Sequence, residues 1–171
     1  MTVIYATKVD TLGRSPKEKR KKENVVSQKL LFFAVEKEYG IIEDHLVLAQ
    51  EENRKPYFHG YPVHFNYSHS GQYVVVALSA TPVGVDVEHR EREVTPRLLQ
   101  RILGIGLLQP NEVVGLSPIN VWTRYEAAFK IGVKPPLTRY FCEYDLDGHI
   151  ISVCSEKDAF CDNVVLVEFE K

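Results

Sequence analysis

Residues 83–88 read Val-Gly-Val-Asp-Val-Glu, and this hexapeptide opens the second half of the chain. Side chains alternate between the two faces of a strand, so Asp86 and Glu88 point one way while Val85 and Val87 point into a core. Two carboxylates on one face repel each other unless a cation lies between them, and hard oxygen ligands suit Mg²⁺. The hexapeptide alone leaves two interpretations open: a metal site, or an edge strand with an acidic face in solvent.

Secondary-structure signals on both sides of the hexapeptide follow the same order twice. A strand, helices, a proline-containing loop, a strand, a turn and a strand run up to Ser79, and this order returns from Val83 to Phe169. We therefore predict an α+β fold of two similar halves, residues 1–82 and 83–171, with a site between them. The second half would carry the metal site, and the two halves would form one integrated unit.

Boundary signals predict three helices. Ser15 caps the first through a capping box with Glu18, and Gly40 ends it. Thr95 and Ser117, each followed by proline, begin the second and third. The positions predicted to form the apolar face of the first helix are Val25, Val26, Leu30, Phe33, Ala34 and Ile41.

Two hairpins are predicted. Strands at residues 63–67 and 73–79 would be joined by a Ser-His-Ser-Gly turn at residues 68–71. A turn of this composition offers hydroxyls, an imidazole and backbone N–H groups to a phosphate, although an ordinary polar turn is equally open. Strands are also predicted at 138–144, 149–152 and 164–169, the first two joined by a tight turn.

Residues 122–130 are predicted to be helical. Glu126 and Lys130 are four residues apart, which places them on one face of that helix. By itself this spacing also fits an exposed ion pair worth about 0.3–0.5 kcal/mol.

Composition excludes several classes of protein. The chain has 171 residues, 44% hydrophobic and 26% charged, which is typical of a globular protein, and its net charge of −2 does not fit a nucleic-acid-binding polycation. Its apolar runs fall short of the roughly 20 residues of a membrane span, and residues 1–4 do not resemble a secretory signal. Three cysteines without a C-x-x-C pair favour a reducing cytoplasm.

A basic cluster lies at residues 14–22, with six basic residues and one acid. It could bind a phosphate or an acidic partner, or it could be the solvated start of a helix. Because aromatic residues do not alternate with these basic residues, a nucleic-acid-binding surface is disfavoured.

Four segments, taken in order, resemble the motifs of the 4′-phosphopantetheinyl transferases. They are residues 54–56 (Arg-Lys-Pro), 65–70 (Phe-Asn-Tyr-Ser-His-Ser), 82–88 (Pro-Val-Gly-Val-Asp-Val-Glu) and 122–130 (Trp-Thr-x-x-Glu-Ala-x-x-Lys). Their order and spacing are similar to those of the larger, two-halved type, represented by the surfactin-synthetase-activating enzyme. The resemblance is clearest between Arg54 and Lys130.

The resemblance implies an activity and a cofactor. Enzymes of this family transfer the phosphopantetheine arm of coenzyme A to a serine of an acyl or peptidyl carrier protein and release adenosine 3′,5′-bisphosphate. By this likeness, Mg²⁺ on the pyrophosphate would be surrounded by Asp86, Glu88 and Glu126.

The resemblance also implies roles for individual side chains. Lys55, Ser68 and His69 would hold the nucleotide of coenzyme A, with His69 near the 3′-phosphate. Lys130 would contact the pyrophosphate or the leaving oxygen, and Glu126 would take the proton of the attacking serine. Such chemistry needs a cation where charge grows and a carboxylate near the hydroxyl.

Departures from the motifs keep a second hypothesis open. Tyr125 and Arg54 stand where the family usually has lysine and glycine. Because tyrosine cannot supply the missing positive charge, the alternative is a catalytically impaired homologue that binds coenzyme A or a carrier.

Charge also suggests the partner. Six basic residues against two acids between Arg97 and Arg139 suggest a docking face for an acidic carrier protein. We expect a monomer with no nucleic-acid or membrane partner; which carrier it serves is open.

Overall fold

The computed structural model describes residues 1–52, 55–132 and 138–169. Its helices are α1 (Pro16–Tyr39), α2 (Pro96–Gly104) and α3 (Pro118–Ile131), and short 3₁₀ turns lie at Glu43–His45 and Pro110–Glu112. The strands are β1 (Val3–Lys8), β2 (Leu48–Ala49), β3 (Tyr57–Phe58), β4 (His64–Ser70), β5 (Tyr73–Ser79), β6 (Val83–His89), β7 (Tyr140–Leu146), β8 (His149–Ser155) and β9 (Val165–Leu166). Arg54 and the Pro135-Pro136 pair lie outside the described residues. The predicted α+β class is confirmed.

Two sheets share one connectivity. The first has the order β4-β5-β1-β9 and the second β6-β8-β7, with a small β2-β3 ribbon beside them. In the first sheet, β5 pairs antiparallel with its hairpin partner β4 and with β1, which precedes α1. In the second sheet, β8 pairs in the same way with β7 and with β6, which precedes α2 and α3. β9 then returns to the first sheet and pairs in parallel with β1. The predicted strand at residues 164–169 is therefore shorter than expected, and the division at residues 82 and 83 stays a prediction.

The boundaries of α1 agree with its predicted signals, and its apolar face agrees at every predicted position except Val25: Leu30 and Ala34 are buried, and Val26, Phe33 and Ile41 pack against the same core. Ser15 and Glu18 form the capping box, and Gly40 ends the helix in the left-handed conformation. Val25 is exposed, whereas the buried positions follow the series Glu23, Ser27, Leu30, Leu31, Phe32, Ala34 and Val35. Two polar residues thus begin the buried face, which is wider than the predicted one.

The hairpin turn between β4 and β5 is also shifted from its predicted position. Ser70 pairs with Tyr73, so the turn consists of Gly71 and Gln72 alone. Gly71 has a φ of 58°, which glycine adopts without strain and which two-residue hairpin loops require. Ser68 and His69 therefore lie on the strand, with their side chains on opposite faces, and the predicted polar turn at residues 68–71 is wrong.

Three apolar layers hold these elements together. α1 packs on one face of the first sheet, and α2 and α3 pack with the second sheet. The layer between the sheets contains Ile4, Ala6, Val75, Ala77, Val83, Val85, Val87, Ile151 and Val153. Both Val85 and Val87 face this core as predicted, so the carboxylates of β6 point away from it.

Gly84 sets the distance between β6 and α3. A Cβ atom at this position would lie 2.0 Å from the carbonyl oxygen of Ala127 and 2.7 Å from the backbone nitrogen of Ile131. Only glycine lets the helix backbone lie directly on the strand. Within the described residues, no helix has both the length and the apolar character needed to cross a membrane.

Candidate active site

Lys130 on α3 brings three elements together. Its ammonium donates hydrogen bonds to Asp86 Oδ1 on β6 at 2.7 Å and to Ser68 Oγ on β4 at 3.0 Å. A third bond reaches the carbonyl oxygen of Val85 at 3.1 Å. The three donors of the ammonium thus bind acceptors on β4 and β6, one from each half of the chain.

The seam between β4 and β6 is built from side-chain hydrogen bonds. Asn66 Oδ1 accepts from the backbone N–H of Val85 at 3.0 Å. Ser68 Oγ donates to Asp86 Oδ1 at 2.9 Å, and Ser70 Oγ donates to Glu88 Oε2 at 3.1 Å. Alternate residues of β4 therefore face β6, which is why both carboxylates of the hexapeptide are held from the same side.

Asp86 is almost completely buried, with 4% of its surface exposed. Burial raises the pKa of this carboxyl, and the Lys130 ammonium and the Ser68 hydroxyl act in the opposite direction. Its second oxygen, Oδ2, has no hydrogen-bond partner among the described residues. A buried carboxylate oxygen without a donor is costly unless a cation or another donor satisfies it.

Glu126 lies near Asp86 on the same side of α3 as Lys130. Burial raises the pKa of Glu126, and the Asp86 carboxylate raises it further, while Lys130 and Arg92 oppose this rise. A carboxylate held in this way takes up a proton more readily than an exposed glutamate, which is the property of a general base near neutral pH.

Glu88 has other partners. It forms an ion pair with Arg92, and its Oε1 accepts a hydrogen bond from the indole Nε1 of Trp122 at 3.4 Å. Arg92 was not identified in the sequence as a site residue. Its signal there was weak, because a glutamate and an arginine four residues apart fit a helix pair, and this pair instead spans the end of β6 and a turn.

The fit of these residues to Mg²⁺ is partial. Among the residues that the structure describes, no three His, Cys, Asp or Glu side chains converge in the arrangement of a metal site. Asp86 and Glu126 have the properties that a cation would satisfy: an unpartnered buried oxygen and a mutual repulsion. To bind the metal, Glu88 would have to break its ion pair with Arg92.

His69 points away from this cluster, toward α1. Its Nδ1 lies 3.3 Å from Glu23 Oε2, and Lys19 Nζ lies 3.7 Å from Glu23 Oε1. Glu23 is buried, and its Oε1 has no hydrogen-bond partner within the described ranges. The basic cluster of α1 and His69 thus meet at a buried acid that sequence reasoning did not identify, since Glu23 looked like one more charge on a solvated helix.

Lys55 lies close enough to Lys130 for their positive charges to interact. Desolvation and, to a smaller extent, the positive charge of Lys130 lower the pKa of Lys55 to about 8. A pocket of about 240 Å³ adjoins this lysine, between the β2-β3 ribbon and the end of α3, with Tyr57, Phe65 and Ile131 in its wall. A planar apolar group with an attached anion would fit such a pocket.

The structure thus brings Ser68, Asp86, Glu126 and Lys130 together, with Lys55 and Glu88 at the edges. Tyr125 packs between Trp122 and Phe129, with ring centroids 6.2 and 6.4 Å away. Arg124 does not replace the missing lysine, because it binds Glu143 Oε1 at 2.7 Å and the carbonyl oxygen of Glu112.

Comparison with known proteins indicates the family that the chain resembles. Residues 1–81 match a family model described as 4′-phosphopantetheinyl transferase, N-terminal. A 4′-phosphopantetheinyl transferase of Bacillus subtilis is 23% identical over 208 aligned positions, which cover 100% of this chain and 90% of that protein. The 4′-phosphopantetheinyl transferase psf-1 of Bacillus pumilus is 26% identical over 152 positions, covering 82% of this chain and 64% of its own. Taken together, these matches show that the chain is similar to 4′-phosphopantetheinyl transferases, over residues 1–81 by the family model and along its whole length by the Bacillus subtilis protein.

Proposed function

We propose that this protein transfers the 4′-phosphopantetheine arm of coenzyme A to a serine of an acyl or peptidyl carrier protein. The observation that carries the proposal is the group formed by Lys130, Asp86 and Ser68, with Glu126 beside it. It joins a fixed cation to a carboxylate of raised pKa, which are the two groups that attack of a hydroxyl on a pyrophosphate requires.

In the proposed reaction, the serine oxygen bonds to the phosphorus that carries the pantetheine arm. The bond from that phosphorus to the bridging oxygen breaks, and adenosine 3′,5′-bisphosphate departs. Glu126 takes the proton of the serine, and Lys130 stabilises the negative charge that grows on the leaving group. Ser68 keeps Lys130 and Asp86 aligned.

Asp86 and Glu126 would hold Mg²⁺, with Glu88 as a third ligand once it releases Arg92. The chemistry that Mg²⁺ supplies when bound is neutralisation of charge on the pyrophosphate. Lys55 and His69 would hold the nucleotide from two sides of the seam, Lys55 at the 240 Å³ pocket and His69 with the basic start of α1.

An acidic carrier protein would approach from the side of α2, where Arg97 and Arg101 are exposed. The docking face is smaller than the sequence suggested. Arg139 is occupied by an internal ion pair with Glu112, Arg124 by one with Glu143, and Lys134 lies outside the described ranges. We also propose a monomer without nucleic-acid or membrane partners, since one chain supplies both sides of the seam. The unpaired thiols of Cys142, Cys154 and Cys161 support a cytoplasmic location.

The second candidate function is a homologue that binds coenzyme A or a carrier without transfer. Two observations favour it: Tyr125 supplies no cation, and Glu88 is engaged by Arg92 instead of facing Asp86 and Glu126. The retained proton acceptor, Glu126, argues for the transferase.

Intact-mass measurement distinguishes the two functions. The protein is incubated with coenzyme A, Mg²⁺ and several apo carrier proteins, and the transferase predicts that a carrier gains one phosphopantetheine. The Asp86→Asn variant should lose at least about 100-fold in rate, because the site then lacks a charged ligand. Asp145→Asn is the matched control, since Asp145 is exposed and pairs with Arg90. Tight binding of coenzyme A without a mass gain on any carrier would establish the second candidate.

A further inference from the structure

Arg92 is held in a fixed position at the edge of the site. Its guanidinium forms the ion pair with Glu88 and covers the indole ring of Trp122, with 4.8 Å between Cζ and the ring centroid. Its backbone N–H donates to the carbonyl oxygen of His89 at 2.9 Å, which closes the turn after β6. An ion pair, an aromatic face and a turn therefore orient a side chain that is still exposed to solvent.

The charge of the site explains why such a cation matters. Asp86 and Glu126 repel each other, Glu88 adds a third carboxylate at the edge of the site, and the proposed substrate brings a pyrophosphate. An anion approaches such a region only where cations outweigh the local repulsion. Lys130 directs all three of its protons at groups of the protein. A guanidinium has five N–H donors in a planar fork, so Arg92 can bind a phosphate once Glu88 has released it for the proposed metal.

We propose that Arg92 binds the pyrophosphate of coenzyme A, as a second cation beside Lys130. The inference rests on the proposed transferase function, which supplies that pyrophosphate. It also gives Tyr125 a role. The tyrosine ring packs on Trp122, and Trp122 in turn supports Arg92, so the position before Glu126 orients a cation instead of carrying one.

The test compares three single variants. Arg92→Gln removes the charge, Arg92→Lys keeps it, and Arg90→Gln is the matched control because Arg90 pairs with Asp145 on the far side of the turn. Each is measured for its KM for coenzyme A in the transfer reaction. Each is also measured for its Kd for coenzyme A from the fluorescence of Trp122, the single tryptophan of the chain, with equilibrium dialysis as a check.

We expect Arg92→Gln to raise both KM and Kd about tenfold, the effect of losing one charge-assisted hydrogen bond, with kcat and melting temperature little changed. Arg92→Lys should stay within about threefold of the wild type, and Arg90→Gln should match it. Adding Tyr125→Lys to Arg92→Gln should recover part of the affinity, because a lysine at this position would extend beside the same carboxylates.

The outcomes separate the two proposals. If the wild type transfers and Arg92→Gln leaves KM and Kd unchanged, the inference about Arg92 is overturned and the function stands. The inference is equally overturned if Arg92→Gln lowers only kcat and melting temperature, because Arg92 would then merely hold Glu88. If the wild type transfers to no carrier but its affinity for coenzyme A depends on Arg92, the function falls and the inference stands. Failure of the wild type to bind coenzyme A overturns both.

Discussion

Glu126 combines two properties that a single residue must have to act as a proton acceptor here. It is close enough to Asp86 for the two carboxylates to repel each other, and it is desolvated enough for its pKa to rise. The same properties make its charged form unfavourable in the folded protein. A catalytic requirement and a stability cost are therefore linked at this position.

The Glu126→Gln variant tests this link. Because the pKa of Glu126 is raised by folding, the charged carboxylate destabilises the native state at pH values above its ordinary pKa of 4.5. We expect the variant to have a higher free energy of unfolding than the wild type at pH 7. This difference in the free energy of unfolding should shrink as pH falls through the raised pKa of Glu126 and vanish below about pH 4. Chemical denaturation at several pH values measures it.

Transfer by the same variant should fall at least about 100-fold, with loss of the rise in rate that accompanies deprotonation of Glu126 in the wild type. A variant that kept the wild-type pH profile would show that another group accepts the proton. Equal free energies of unfolding for Glu126→Gln and the wild type at pH 7 would show that the charge of Glu126 does not destabilise the folded protein.

At the scale of residues, the sequence predicted the acidic side chains of β6 better than the ion pairs of the site. Alternation along a strand was enough to place Asp86 and Glu88 on one side of β6. Arg92 and Glu23 escaped prediction, because the Glu88–Arg92 pair spans the end of β6 and a turn instead of a helix, and Glu23 meets His69 from another element.

At the scale of elements, the packing of α3 on β6 positions the site. Glu126 and Lys130 reach Asp86 because the helix backbone lies on Gly84 without an intervening side chain. The motif around Gly84 therefore contributes to the site in two ways. Its carboxylates are candidate site residues, and the absence of a Cβ atom at Gly84 lets α3 lie directly on β6.

Gly84→Ala should be strongly destabilising. Its methyl group would meet the backbone of α3, which cannot move as a flexible side chain could, so we expect a loss of about 3 kcal/mol or more in unfolding free energy. Gly104→Ala is the matched control. Its Cβ would meet nothing within 4 Å, and alanine there should stabilise α2 by about 0.5 kcal/mol. A Gly84→Ala protein with wild-type stability would refute the close approach.

Elements with local signals were predicted more accurately than those defined by packing. Ser15, Thr95 and Ser117 cap their helices as expected, because capping is a contact between residues three apart. The buried face of α1 was predicted apart from its first turns, where the polar residues Glu23 and Ser27 are buried and Val25 is exposed. The extension of β4 through Ser70 follows from its pairing with β5, which composition does not reveal.

At the scale of the whole molecule, the end of the chain completes the first sheet. β9 pairs with β1, Thr7 Oγ1 donates to the carbonyl oxygen of Val167 at 2.7 Å, and Phe169 packs edge-on against Phe33 of α1. The predicted duplication of two halves was visible in the order of elements. The return of β9 to the first sheet was not visible in the sequence, because nothing in a short apolar segment specifies which sheet it joins.

A chain ending at residue 163 should lose about 5–10 °C in melting temperature relative to one ending at residue 169, because it lacks the fourth strand and the ring contact with Phe33. We expect one cooperative transition in both proteins, since the layer between the sheets remains. Calorimetry measures the shift. An unchanged melting temperature would show that β9 adds nothing to the first sheet.

The return of β9 also has a consequence for synthesis on the ribosome. β1 emerges first, and its partner β9 is translated more than 150 residues later. At roughly 5–20 residues per second, one edge of the first sheet would await its strand for about 8–30 s. An open strand edge is a template for pairing with other chains. The nascent protein is therefore most exposed to aggregation while its C-terminal half is still being made, and a chaperone that covers β1 during that interval should raise the yield of folded protein.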